Sequence, residues 1–341
     1  MRPSFHPRLL NGRTGDPALY VEALHLPDAV LFDCGDLSAL SPRHLLRVGI
    51  LAVSHAHMDH WADFDRLLRL LIGREKRLSV VGPEGFARRL RHRLQAYTWN
   101  LADRIPAELA FEVTEVTPSA LWSRTQLSLH SGFEPEALDS LPATPDGSVL
   151  SLGPLRLRAA VLDHGTPCLG FALEEEAHLN VWRTHLEARG LPTGPWLAGL
   201  KAAIMAERPD DELIPVYARA SEARQASTHR LAELRDLVSV TPGQRLAYLT
   251  DFADRPANRS AAISLARDAD TLFIEAPFVA EDAAIALDRQ HLTTQAAGEI
   301  ARAAGVRRIE PFHFSPRYPG QEERLMAEVA RAAGRESLSP P

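Results

Sequence analysis

Short apolar runs bounded by Pro, Gly and Asp alternate with amphipathic stretches along most of the chain. Ala18–Leu24 and Ala29–Cys34 read as two strands separated by a Pro-Asp turn, the second ended by Gly35. Gly49–Val53 is a third strand, and beyond it Phe64, Leu67, Leu68 and Leu71 recur at helical spacing with Gly73 as the stop. Leu78–Val81 reads as a strand, Gly82-Pro83 as a turn, and Glu84–Tyr97 as an Arg-rich amphipathic helix. Residues 109–162 read as mostly β, with Ala110–Val113 and Leu155–Val161 the clearest strands. Over 174–244 the pattern turns helical and polar, broken by Gly190-Leu191-Pro192-Thr193-Gly194-Pro195, and predicts a protruding insertion. Strands return at Arg245–Leu249 and Thr271–Ile274. A helix from Thr294 puts Ala297, Ile300, Ala301 and Ala304 on one face, is capped by Gly305 and leads into a strand at Arg308–Phe312. The Pro-rich end after Ser337 is expected to fray.

This alternation predicts a single α/β domain over 1–341 carrying the 174–244 insertion, since candidate chemistry is scattered from residue 55 to residue 313 and no repeat divides the chain. A length of 341 residues and 45% hydrophobic content support a substantial core. Cys34 and Cys168 form neither a disulfide framework nor a Cys-rich zinc module, so both are expected as reduced core or near-site residues. The N-terminal residues lack a secretory apolar segment and no apolar stretch is long enough to span a bilayer, which predicts a cytoplasmic protein with no membrane partner. The net charge of −6 argues against unspecific polyanion binding by the whole surface. Between Arg66 and Arg93, however, nine basic residues face only Glu75 and Glu84. That block either steers a phosphate-bearing substrate or forms two solvated helix faces.

Candidate chemistry concentrates where the run Ile50–Val53 delivers Ser54-His55-Ala56-His57-Met58-Asp59-His60. Three imidazoles and a carboxylate this close are costly to bury unless a metal orders and neutralises them. They cannot all converge on one tetrahedral ion without severe backbone strain. The spacing therefore predicts two ions sharing the loop, one on His55 and His57, the other on Asp59 and His60. Paired ions about 3.5–4 Å apart suit in-line displacement at a phosphodiester. Further ligands must come from elsewhere, and His164, Asp251 and His313 each follow a strand-like run. The donor set suits zinc, with manganese or iron within the same chemistry. No Gly-x-Gly-x-x-Gly or Walker loop and no Gly-x-Ser-x-Gly elbow is present, so nucleotide-cofactor and serine-hydrolase readings have no anchor.

With these segments in view, the chain resembles the metallo-β-lactamase fold family and, within it, the ribonuclease Z branch of tRNA 3′-end endonucleases. Leu31–Gly35 is similar to the family's second strand and Ser54–His60 to its hallmark motif. Asp163–Phe171, Glu275–Phe278, His291–Ala297 and His313–Tyr318 resemble further blocks of the branch, so the likeness runs from about residue 18 to residue 320. The resemblance implies a four-layer αββα sandwich, two mixed β-sheets flanked by helices, with a helical insertion. It implies that His55, His57 and His164 hold one ion and Asp59, His60 and His313 the other, with Asp251 bridging. Asp59 and His291 would serve catalysis, His291 as proton donor to the leaving ribose oxygen. Gly190–Trp196 with Leu200-Lys201 is similar to the tip of the branch's tRNA-gripping arm, implying an exosite around 183–201 where Arg183, Arg189 and Lys201 touch phosphates. Arg66, Arg69, Ser315 and Arg317 complete the candidate substrate contacts. A homodimer is implied as well.

Two departures from the branch affect the substrate. Thr250-Asp251-Phe252 replaces the usual Gly-Asp-Thr. Trp61-Ala62-Asp63-Phe64-Asp65 replaces an apolar, Gly-containing run and sets two acids beside the site, which disfavours an RNA backbone unless Arg66 and Arg69 compensate. The expected function is a dinuclear metal-dependent phosphodiester hydrolase, foremost a ribonuclease Z-like endonuclease on precursor tRNA. The alternatives are a small-molecule phosphodiesterase or other ester hydrolase of the same fold, and a metal-bound scaffold without catalysis.

Overall fold

A computed structural model describes residues 4–24, 26–219 and 226–338; the end of the Pro-rich tail lies outside them. The chain divides into two compact units, residues 1–174 with 244–341, and residues 175–243. In the larger unit β1 (Phe5–Leu9), β2 (Leu19–Ala23), β3 (Ala29–Phe32), β4 (Val48–Ala52), β5 (Lys76–Pro83), β6 (Leu109–Val116), β7 (Leu121–Ser128) and β8 (Pro135–Pro142) form one sheet in chain order. Strands β3 to β6 run parallel. Their crossovers carry α1 (Pro42–Leu46), α2 (Met58–Trp61), α3 (Phe64–Leu71) and α4 (Phe86–Leu94). A second sheet begins with β9 (Ser148–Leu152), β10 (Leu155–Asp163) and β11 (Pro167–Glu175).

The smaller unit has its own core, built on Leu186, Trp196, Leu200, Ile214, Leu231 and Leu234. There β12 (His178–Val181) leads to α5 (Arg183–Ala188), α6 (Trp196–Met205), β13 (Leu213–Val216), β14 (Ser227–Arg230), α7 (Leu231–Leu234) and β15 (Val238–Thr241). β12 pairs with β15 and β13 with β14. The stretch expected to be helical is therefore mixed. Strands of four residues show too few alternations for a period of two to stand out from a polar helical background.

Back in the larger unit, β16 (Arg245–Leu249), β17 (Thr271–Glu275) and β18 (Arg308–Phe312) complete the second sheet in the order β18-β17-β16-β11-β10-β9. β16, β17 and β18 are parallel to one another. α8 (Pro256–Ala266), α9 (Ala283–Asp288), α10 (Thr294–Ala303) and α11 (Glu322–Ala332) follow them. Side chains alternate across each strand. Val30, Phe32, Ile50, Ala52, Leu246, Tyr248 and Phe273 pack between the sheets. Leu31 and Leu51 face the helices of the first sheet, and Ala247 and Leu272 those of the second. The result is the four-layer αββα sandwich.

Three local expectations change. β5 continues through Gly82-Pro83, expected as a turn, because its register with β6 persists to Val116. The Arg-rich helix spans only Phe86–Leu94. β1, which the pattern of apolar residues does not announce, pairs antiparallel with β2. Among the described residues no helix is long and apolar enough to cross a membrane.

Candidate metal centre

The polar cluster grows from strand ends. The loop after β4 carries His55 and His57, and the short α2 carries Asp59 and His60; His164 follows β10, Asp251 follows β16 and His313 follows β18. Asp33, Asp251 and His313 have φ of 54°, 49° and 59°, as does Gln290, next to His291, at 61°. This left-handed conformation costs a non-glycine residue about 1–3 kcal/mol and persists where packing over-determines it.

Asp251 is the hub. Its Oδ2 lies 3.7 Å from His55 Nε2, 3.3 Å from His60 Nε2 and 3.6 Å from His164 Nε2, and its Oδ1 lies 3.2 Å from His313 Nδ1. Asp59 Oδ2 lies 3.5 Å from both His60 Nε2 and His313 Nε2. Three sets of donors within 4.8 Å of one another result: His55, His57, His164 and Asp251; Asp59, His60 and His313; and Asp251, Glu275, His291 and His313. Every metal-site residue named from the sequence lies in this cluster.

The donors fit a metal. His55 Nε2, His60 Nε2 and His313 Nδ1 are buried with no hydrogen-bond partner among the described residues, a costly state for a ring nitrogen unless a cation takes its lone pair. Burial and the neighbouring imidazoles push His55 down to about 2, so it stays neutral, as a ligand must. Burial would lower His313 too, but Asp251, Asp59 and Glu275 overcome it and hold that ring up to about 10. The carboxylates thus draw positive charge to this point. Behind the donors, wholly buried Asp33 accepts from Ser54 N at 2.7 Å, Ser54 Oγ at 2.8 Å, His60 Nδ1 at 2.9 Å and Tyr248 OH at 2.8 Å. It orients His60 with Nε2 toward the centre.

His291 and Glu275 differ from the other donors because they satisfy each other. His291 Nδ1 donates to Glu275 Oε2 at 2.7 Å, and Glu275 Oε1 accepts from Phe252 N at 3.0 Å and Leu292 N at 3.2 Å. Burial lowers the affinity of His291 for a proton, yet the Glu275 charge more than offsets it and the ring titrates above its ordinary value. That pair suits proton delivery. Thr293, not His291, caps α10, accepting from Ala296 N at 3.1 Å. A pocket of about 400 Å³ beside His291 is lined by Phe278, Ile285, Arg289, Ser315 and Arg317.

The sequence reading did not assign roles to Asp33, Glu275 or Arg289. Asp33 and Glu275 stand in the sequence within the family-like blocks Leu31–Gly35 and Glu275–Phe278, which give neither carboxylate a role of its own. Among candidate substrate contacts, Ser315 and Arg317 line the His291 pocket, and Arg66 and Arg69 are exposed on α3. In the smaller unit Arg183 pairs with Glu187, Arg189 is held by Asp236 and the Glu233 carbonyl, and Lys201 lies on α6. Residues 175–243 carry ten acidic and eight basic side chains. Asp63 and Asp65 do not await Arg66 and Arg69: Asp63 accepts from Leu37 N at 2.8 Å, and Asp65 is forked by Arg93 at 2.9 and 3.1 Å. A larger cavity of about 840 Å³ has none of these donors in its lining; there Arg13 and Arg308 pair with Glu310, and Arg245 with Glu174.

No protein-family model matches the chain. The fold is shared with the metallo-beta-lactamase fold protein YhfI of Bacillus subtilis, at a TM-score of 0.53 and 14% identity over 97% of this chain and 96% of that one. It is shared equally with the short form of human tRNase Z, at 0.53 and 15% identity over 92% and 93%. Ribonuclease Z of Deinococcus radiodurans is 35% identical over 306 residues, 89% of this chain and 87% of that protein. At that identity and coverage the chain belongs to the ribonuclease Z family of metal-dependent hydrolases, built on the metallo-β-lactamase fold.

Proposed function

We propose that the chain is a dinuclear endonuclease that cleaves the phosphodiester at the 3′ side of precursor tRNA. The observation that carries this reading is the arrangement of unpartnered buried imidazole nitrogens around Asp251, with a self-satisfied His291–Glu275 pair beside it. In this reading His55, His57 and His164 hold one ion, Asp59, His60 and His313 the other, and Asp251 serves both; zinc is the ion proposed. When bound, the pair supplies Lewis-acid stabilisation of charge developing on the phosphoryl oxygens. Asp33 orients His60. His291, steadied at Nδ1 by Glu275, holds a proton on Nε2 for the departing ribose oxygen, an alkoxide too basic to leave unprotonated.

Phosphates of the RNA would meet Arg66, Arg69, Arg289 and Arg317 of the larger unit. The acidic excess of residues 175–243 and the capture of Arg189 by Asp236 weigh against a grip that relies on charge there. A cytoplasmic homodimer accompanies this reading, with light scattering as the check on assembly. Metal analysis and cleavage of a 3′-extended tRNA, run beside bis-p-nitrophenyl phosphate on one preparation, test the function. Two ions per chain and a single cut at the tRNA 3′ side are expected, and both should be lost in Asp251→Asn and His57→Ala. Hydrolysis of the small diester with the tRNA left intact would replace the RNA substrate by a small phosphodiester.

A further inference from the structure

Four arginines lie on α4, and one of them is turned toward the metal loop. Arg88 and Arg89 are exposed, and Arg91 pairs with Glu134. Arg93 places four hydrogen bonds of its guanidinium on one segment: Nε and Nη2 fork Asp65 at 2.9 and 3.1 Å, Nη1 donates to the Trp61 carbonyl and Nη2 to the Ala62 carbonyl, each at 2.5 Å. Its guanidinium carbon lies 4.8 Å above the Trp61 ring, which packs on Phe86 at 5.2 Å.

Those two carbonyls terminate α2, the four-residue helix that carries Asp59 and His60. A single helical turn is not stable alone, and its last carbonyls have no partners within the helix. On one side α2 is tied by main chain, Cys34 N donating to the His60 carbonyl at 2.7 Å and Asp63 N to the Cys34 carbonyl at 3.0 Å. On the other side its carbonyl end is tied by the side chain of Arg93.

We propose that Arg93 is a positioning residue for the Asp59–His60 half of the metal centre, acting by capping α2 from α4. The proposal rests on the reading of Asp59 and His60 as metal ligands. It also gives a purpose to the run Trp61–Asp65: the ring is the platform for the guanidinium and Asp65 is its counter-ion, so this acid is neutralised locally.

The test compares metal binding in Arg93→Gln and Arg93→Lys with that of the intact chain. Each protein is stripped of metal, confirmed as folded by circular dichroism, then titrated with zinc against a chromophoric chelator and with cobalt followed by its visible absorption. One ion should bind as in the parent and the other about 10–100-fold more weakly, as for loss of other outer-shell partners. The cobalt band of that half should shift. Arg93→Lys keeps a cation over Trp61 but cannot fork, and it carries the test if Arg93→Gln does not fold. Parental affinity for both ions and an unchanged cobalt spectrum in the folded variants would overturn the proposal. Asp59→Ala should lose the same ion as the Arg93 variants. If Asp59→Ala keeps both ions, the ligand assignment falls and the proposal with it; if Asp59→Ala loses one and the Arg93 variants lose none, the proposal alone falls.

Discussion

Tyr248 and Asp33 meet across the two sheets: the phenol on β16 donates to Asp33 Oδ2 at 2.8 Å, and the same oxygen accepts from His60 Nδ1 at 2.9 Å. Both residues are fully buried, with Tyr248 stacked between Phe32 and Phe312. One hydroxyl therefore joins the strand that leads to Asp251 to the carboxylate that orients His60. Tyr248→Phe keeps the packing and removes only the bond. A hydrogen bond to a buried charge is worth about 1.5–3 kcal/mol, and the variant should lose stability in that range by denaturant unfolding of the metal-free protein. A loss below half a kilocalorie, on the order of a surface change, would show the strut to be idle.

Gly35 packs directly against the turn that carries Asp59 and His60. A Cβ there would lie 1.9 Å from the Asp59 carbonyl oxygen and 2.7 Å from Asp16 Cβ. Gly35→Ala must push the Asp59–His60 turn outward, and overpacking of this kind costs about 1–3 kcal/mol. Reduced metal content at equal protein concentration, measured by elemental analysis, is the expected outcome. A fully metallated variant of parental stability would mean the turn yields freely.

His291→Ala separates proton delivery from metal binding. Because His291 and Glu275 satisfy each other, the variant should keep its metal while cleavage of RNA slows by about 10²–10⁴-fold. Turnover of bis-p-nitrophenyl phosphate should fall far less, since nitrophenolate is a weak base that leaves without a proton. Equal losses on both substrates would point to a role other than general acid. Glu275→Gln should reproduce the pattern more weakly.

Glu174, with its side chain 9% exposed, accepts from Arg158 at 2.6 Å, Arg156 at 2.8 Å and Arg245 at 2.7 Å. Burial pushes its carboxyl up, but these guanidiniums outweigh burial and hold it below the ordinary 4.5. A group whose folded pKa is depressed adds stability that is fully present above its unfolded pKa and disappears as pH falls through the folded one. Glu174→Gln should therefore be less stable than the parent at neutral pH. It should also lose stability less steeply on acidification below about pH 4.5, read from unfolding midpoints at several pH values. Parallel acid-side curves for the two proteins would remove Glu174 from the account.

Much of the architecture was legible because buried strands and amphipathic helices leave local periodic signals. Val30, Phe32, Ile50 and Ala52 sit between the sheets, and Leu67, Leu68 and Leu71 on the core side of α3, as their spacing requires. The strands of residues 175–243 were not legible, since four-residue strands carry too few alternations. Nor was the extent of β5, whose Gly82-Pro83 end is held by pairing with β6 rather than by its own preference.

By itself the sequence determined where the candidate donors crowd: His55, His57, Asp59 and His60 share one short segment, residue types whose chemistry suits a metal at that spacing. It also marked His164, Asp251, His291 and His313 as polar residues near strand or helix ends. Only the tertiary structure decided who serves whom. Asp33 supports His60, Glu275 takes His291, and Arg93 rather than Arg66 or Arg69 answers Asp65. Tyr248 and Asp33 stand 215 residues apart in the chain and 2.8 Å apart in space. Such pairings follow from the order of strands in two stacked sheets and from which strand ends share an edge, and no local pattern along the chain encodes that order.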